Sequence, residues 1–257
     1  MIYITGDTHG DFQRLGSKYL PQQKKMSRND YMIICGGFGG LWDGGSRDQY
    51  WLDWLNKKPF TTLFVDRNHE NFDLLNSQPE KYWNGGWVHE IRENVLHLMR
   101  GQVFTFSGLT WFTMGGASSH DIQDGVLDPA DPDFERQYWQ MRRMRAMFRV
   151  KGRSWWQEEM PNAKEYAEAL SNLAKVNWMV DCILTHCTPS NIVRKIDPGY
   201  GTDQLTDFLE MVSQQCRFSC WFFGHYHDNR IIDDKYILQW KQFSELEFNK
   251  YSTVLLK

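Results

Sequence analysis

The sequence predicts an α/β fold in which two sheets carry helices, and three observations lead there. Short runs of β-branched and aromatic residues recur along the chain and end in Gly, Asp, His or Asn. Helical patterns lie between several of these runs, the alternation expected of a sheet with helices on its face. A second set of strands follows in close succession, joined by short turns.

The elements follow in order. Residues 2–5 (IYIT), 31–35 (YMIIC), 61–65 (TTLFV), 180–185 (VDCILT) and 218–223 (FSCWFF) read as buried strands, because a strand covered on both faces needs a continuous apolar run. Helical patterns occupy 46–56, 70–76 and 202–215. Residues 87–91, 95–99, 102–106 and 111–114 predict an antiparallel meander, and 229–239 a hairpin around Asp233-Asp234. Between these groups, 133–177 reads as helical. Ser154 with Gln157 and Asn162 with Glu165 each resemble a capping pair at a helix start. With no internal repeat, low-complexity tract or linker, residues 1–257 are expected to form one domain, with a helical cap-like insertion at about 129–177.

Composition narrows the function. Apolar residues at 41% suffice for a large core and exclude a disordered tail protein. A net charge of −3 argues against coating nucleic acid by bulk electrostatics. The five Cys lack CxxC spacing, which argues against a disulfide framework and for a reducing compartment. No apolar run approaches the roughly 20 residues of a membrane span. The opening MIYITGD enters a strand at once, so a cytoplasmic protein without a signal peptide is expected.

The chemistry gathers where strands end. His9, His69, His186, His225 and His227 are five of the eight histidines, joined there by Asp7 and Asn68. In such sheets ligands collect at the carboxyl ends of the strands. Imidazole and carboxylate together suit Mn, Fe, Zn or Ni. His225 and His227 would share a side if their segment were extended. A single loop histidine is most often a satisfied polar group; five at strand ends point to a metal site.

Gly6-Asp7-Thr8-His9-Gly10, Gly36-Gly37-Phe38-Gly39-Gly40, Asn68-His69-Glu70, Thr185-His186 and Gly224-His225-Tyr226-His227 stand in an order that resembles the calcineurin-like metallophosphoesterases, from residue 1 to about 230. The resemblance implies a four-layer α/β/β/α sandwich of two mixed sheets flanked by helices. It also implies hydrolysis of phosphomonoesters or phosphodiesters with one or two divalent metal ions as cofactor. By motif, Asp7, His9 and His227 would hold one metal, and Asn68, His186 and His225 the second. His69 would protonate the leaving oxygen or orient the substrate. Two cations polarise the phosphoryl group and lower the pKa of a bound water.

Two positions depart from that pattern. The family has Gly-Asp at Gly36-Gly37, where the Asp bridges both metals, and Gly-Asn-His at Arg67-Asn68-His69. Gly37 removes a negative ligand, and Arg67 adds a fixed positive charge. Asp7, Arg67 and one divalent ion sum to the same charge as two carboxylates with two divalent ions. Arg67 is therefore expected either to stand in for one metal and bind phosphate, or to point to solvent beside a weakened binuclear site. Asp43 and Asp66 are the nearby carboxylates that could compensate, although Asp43 suits its own turn and Asp66 could pair with Arg67. Glu70 reads either as a partner of His69 or, better, as a first-turn helix carboxylate.

The loop Gly115–Asp121 is a candidate rim, with His120 as a substrate-binding residue; His89 and His97 read as structural. Residues 136–153 hold seven Arg or Lys and no acidic residue; subtracting those seven charges from the net −3 leaves −10 on the remainder. On a helix, Arg142, Arg145 and Arg149 would form one stripe beside Met141, Met144 and Phe148. That is a solvated basic side or a cap, with Arg145 attracting a polyphosphate or nucleotide. The expected function is a metal-dependent phosphoesterase acting on a small phosphate-bearing substrate. The alternative is a catalytically degenerate relative that binds a phosphate-bearing ligand or a protein partner. A nuclease is disfavoured by net charge and kept open by the basic stretch.

Overall fold

The computed structural model describes residues 1–249 and 252–254. The strands are β1 (Ile2–Thr5), β2 (Tyr31–Ile34), β3 (Thr61–Phe64), β4 (Glu80–Trp83), β5 (Gly86–Arg92), β6 (Val95–Leu98), β7 (Gln102–Phe106), β8 (Leu109–Met114), β9 (Val126–Leu127), β10 (Arg149–Val150), β11 (Cys182–Thr185), β12 (Cys220–Phe223), β13 (Arg230–Ile232), β14 (Tyr236–Leu238), β15 (Ser244–Glu245), β16 (Glu247–Asn249) and β17 (Ser252–Val254). The helices are α1 (Ser46–Asn56), α2 (Phe72–Asn76), α3 (Phe134–Met144), α4 (Ala163–Lys175), α5 (Ser190–Ile196) and α6 (Gln204–Gln215).

Two large mixed sheets result, in the orders β15-β1-β2-β3-β6-β5-β4 and β13-β14-β12-β11-β8-β7. The pairs β1–β2, β2–β3 and β3–β6 are parallel, as are β8–β11, β11–β12 and β12–β14. Side-chain alternation explains how they stack. Ile2, Ile4, Ile33, Cys35 and Leu63 of the first sheet share one core with Trp111, Cys182, Leu184, Cys220 and Phe222 of the second. The intervening residues face outward to helices. Tyr3, Met32, Ile34 and Phe64 meet Leu52 and Leu55 of α1. Phe112, Ile183, Trp221 and Phe223 meet Leu173, Leu205 and Leu209 of α4 and α6. This is the expected sandwich of two sheets between helical layers, and both faces of each central strand are dry.

The expected meander is divided instead. Strands β5 and β6 extend the first sheet towards its edge strand β4, with Val95 of β6 paired to Thr62 of β3, while β7 and β8 belong to the second. The chain changes sheets at residues 99–101, because the apolar faces of both pairs point into the same core and meet face to face.

The helical stretch is also interrupted. Asn162 and Glu165 form a reciprocal capping box at the start of α4. Ser154 caps nothing; its Oγ accepts from the Val150 amide in a turn before a short 3-10 segment. Helix α3 ends at Met144 with Arg145 left-handed (φ 55°), and Arg149 lies in β10, so Arg142, Arg145 and Arg149 do not share a helical stripe. Among the described residues no helix is long and apolar enough to cross a membrane. All five cysteines are buried and free.

Candidate metal centre

The loops after five strands converge on one cavity of about 200 Å³. Asp7 and His9 follow β1, Arg67, Asn68 and His69 follow β3, His120 and Asp121 follow β8, His186 follows β11, and His225 and His227 follow β12. His9, His225 and His227 hold left-handed backbone (φ 48°, 69° and 50°), a conformation that costs a residue other than glycine about 1–2 kcal/mol. Three such residues in one cavity are strain spent where side chains must be aimed.

Asp7 sits at the centre, 4% exposed, and accepts from the His225 amide at 2.9 Å. Burial acts to raise its pKa, but His186, His9 and that amide outweigh it and hold the carboxyl below its ordinary value. Single ligand atoms of Asp7, His9 and His227 lie within 4.8 Å of one another; among the described residues no other group of three His, Cys, Asp or Glu donors gathers so closely. The Nε2 atoms of His9 and His227 are 3.0 Å apart. Nδ1 of His186 donates to the Cys35 carbonyl at 2.9 Å, which leaves Nε2, 4.0 Å from Asp7, as its ligating atom. Asn68 directs its amide nitrogen to Ser119 Oγ (3.3 Å) and His69 (3.1 Å), which leaves the amide oxygen as its donor to a cation. His225 meets His120, Nε2 to Nε2, at 3.1 Å. One carboxylate among imidazoles fits a borderline divalent ion.

The two departures act on this set directly. Gly37 is left-handed (φ 57°), and a Cβ there would lie 2.3 Å from Asp7 Oδ1, so Asp7 itself fills the space that a side chain at 37 would enter. Arg67 is 8% exposed and turns inward rather than to solvent. Its Nη1 donates to Nδ1 of His9 at 2.6 Å, and its Nε lies 3.6 Å from Glu70. Burial, then Arg67, pushes the His9 pKa down to about 4, so the ring is neutral at pH 7. A neutral imidazole accepting at Nδ1 carries its single proton on Nε2, which then donates to His227. Arg67 and a metal ion therefore compete for the one lone pair of a neutral ring.

Neither nearby carboxylate compensates. Asp66 is 1% exposed and pairs with Arg100 (3.0 Å from Nε) and His97 (3.1 Å), not with Arg67. His97 in turn meets His89 at 2.9 Å, so both meander histidines belong to this buried network. Asp43 caps its own turn at Gly45. Glu70 accepts from the amides of Phe38 (3.0 Å) and Gly39 (3.4 Å), and its burial pushes its pKa up to about 7.

His69 lies 3.8 Å from Asp121. Burial, then Arg149 and Arg67, lowers its pKa to about 4, so the ring is neutral in the free protein. Asp121 also pairs with Arg149, a contact hidden from sequence reading because the partners are 28 residues apart; its one signal is the rim loop that carries it. Arg145 is absent from this cavity and lines another.

The family model for calcineurin-like phosphoesterases matches residues 1–229. The chain belongs to that family. As a calcineurin-like phosphoesterase it has the fold of a group whose general chemistry is metal-dependent phosphoester hydrolysis. It is also similar to a lariat debranching enzyme from Caenorhabditis briggsae, 24% identical over 215 residues that cover 78% of this chain. The match spans 37% of that curated relative's length.

Proposed function

We propose that this calcineurin-like phosphoesterase hydrolyses a phosphodiester or phosphomonoester through a weakened metal site in which Arg67 supplies part of the positive charge. The observation that carries the reading is the Arg67–His9 hydrogen bond beside the Asp7–His9–His227 donor set. When bound, a divalent ion polarises the phosphoryl oxygens and lowers the pKa of water. The residues do the rest. Arg67 binds a phosphate oxygen through its planar guanidinium, a stronger partner than a neutral imidazole. Released from Arg67, His9 carries its proton on Nδ1 and offers Nε2 as a ligand. Phosphate and metal are thus expected to bind cooperatively. His69, steadied by Asn68 and Asp121, orients the ester. The likeness to a lariat debranching enzyme favours the diester.

A second reading, binding of a phosphate-bearing ligand without hydrolysis, draws on Gly37 and the crowding of its Cβ position by Asp7. A chromogenic phosphodiester assay with added Mn separates the two. Turnover that is lost in His69→Ala and His227→Ala supports the enzyme. Metal binding without turnover establishes the second reading. Two tightly bound metal ions per chain would sink the role given to Arg67.

A further inference from the structure

The basic stretch does not surround the metal centre; it builds a site of its own. Arg142, Arg145, Arg149 and Arg153 line one cavity of about 630 Å³, with Tyr138 and Phe148 among its other walls and no carboxylate in its lining. Among the described residues Arg142 and Arg145 have no acidic partner, and Arg153 rests on the Phe134 ring. Arg149 is paired with Asp121, but the guanidinium groups of Arg142, Arg145 and Arg153 have no carboxylate to offset them, and an anion with several oxygens relieves their repulsion. The left-handed turn at Arg145 makes the arrangement possible, because it ends α3 and returns the chain so that Arg149 and Arg153 face Arg142.

The cavity adjoins the metal centre. Arg149, on its wall, contacts Asp121, which lines the metal-centre cavity and lies 3.8 Å from His69. The other face of α3 carries a separate hollow lined by Arg136, Trp139, Arg143 and Met144; Trp139, one turn before Arg142, is 57% exposed and Met144 68%. An exposed indole flanked by arginines is a platform for a nucleobase.

We propose that the four-arginine cavity is a phosphate subsite for a single-stranded oligonucleotide, holding a phosphate that neighbours the one at His69, with Trp139 stacking a base. The inference rests on the phosphoesterase reading only for the position of the reacting ester. It also reconciles a net charge of −3 with an anionic partner, since the contact is local and needs only a few nucleotides.

The test is binding of a short fluorescein-labelled single-stranded RNA to the full chain in chelator, so that hydrolysis plays no part. Anisotropy is followed against salt. Arg142→Gln/Arg145→Gln is expected to weaken binding at least about tenfold and to reduce the log–log salt slope by about 1.4, two charges at roughly 0.7 each. Arg142→Lys/Arg145→Lys is expected to keep the slope, and Trp139→Ala to weaken binding without changing it. Wild-type affinity and slope in the double Gln variant, with thermal melts showing a folded protein, would overturn the subsite. Displacement of the strand by tripolyphosphate, with Trp139→Ala silent, would overturn the oligonucleotide and leave a small polyphosphate site. A chain that binds RNA through these arginines but hydrolyses no ester defeats the enzyme reading alone. One that hydrolyses a small diester without arginine-dependent RNA binding defeats the subsite alone.

Discussion

Arg67 donates to the Nδ1 of His9 at 2.6 Å, and the contact decides which nitrogen of that ring is free. Replacing the arginine removes both a competing charge and the constraint on the tautomer. Arg67→Gly is expected to tighten divalent-ion binding by about tenfold, or about 1.4 kcal/mol, in calorimetric titration with Mn. Unchanged or weaker binding would show that Arg67 does not oppose the ion.

Restoring a carboxylate at position 37 is expected to fail as a single change. Gly37→Asp must adopt φ 57° and place a Cβ only 2.3 Å from Asp7 Oδ1. The variant should lose about 1–3 kcal/mol in chemical denaturation and bind metal no better than wild type. A stable variant with a tighter ion would mean that Asp7 moves aside at little cost.

Behind the site, Asp66 depends on Arg100. Both are buried, and removing one partner leaves a charge without compensation. Arg100→Met is expected to cost about 3–5 kcal/mol in denaturant unfolding. A loss below about 1 kcal/mol would mean that His97 alone satisfies the carboxylate.

Glu70 gives a pH signature. Its folded pKa is raised to about 7 from the ordinary 4.5, so the folded state holds its proton more tightly than the unfolded chain. The stability this contributes is complete below about 4.5 and is lost as pH rises to about 7. Glu70→Gln should remove that decline, so stability curves of the two proteins diverge across this window. Parallel curves would show that Arg67 and the Phe38 amide keep Glu70 ionised throughout.

What the sequence disclosed was local. The continuous apolar runs marked the central strands, the histidines that follow them stand at the cavity, and Asn162 with Glu165, three positions apart, announced α4. What stayed hidden depended on distance or on a rare backbone. Asp66 and Arg100 are 34 residues apart, and Asp121 and Arg149 are 28, so no spacing rule links them. Nothing in the residue type of Arg145 signals a left-handed helix end. The division of β5–β8 between two sheets depends on which face each pair presents to a shared core, and alternation reads the same either way.

The sandwich carries a mechanical consequence. Asp7 and Cys35 belong to loops of the first sheet, His225 and His186 to loops of the second, and the bonds His225–Asp7 and His186–Cys35 cross the seam. The donor set is therefore a vernier on the alignment of two slabs held together by apolar contact. Any ion it captures rivets one slab to the other and stabilises the whole fold by an amount that grows with the logarithm of the ion concentration once this exceeds the Kd. A core substitution such as Trp111→Ala, between the sheets and outside the donor cavity, would then first be felt as a looser grip on the ion.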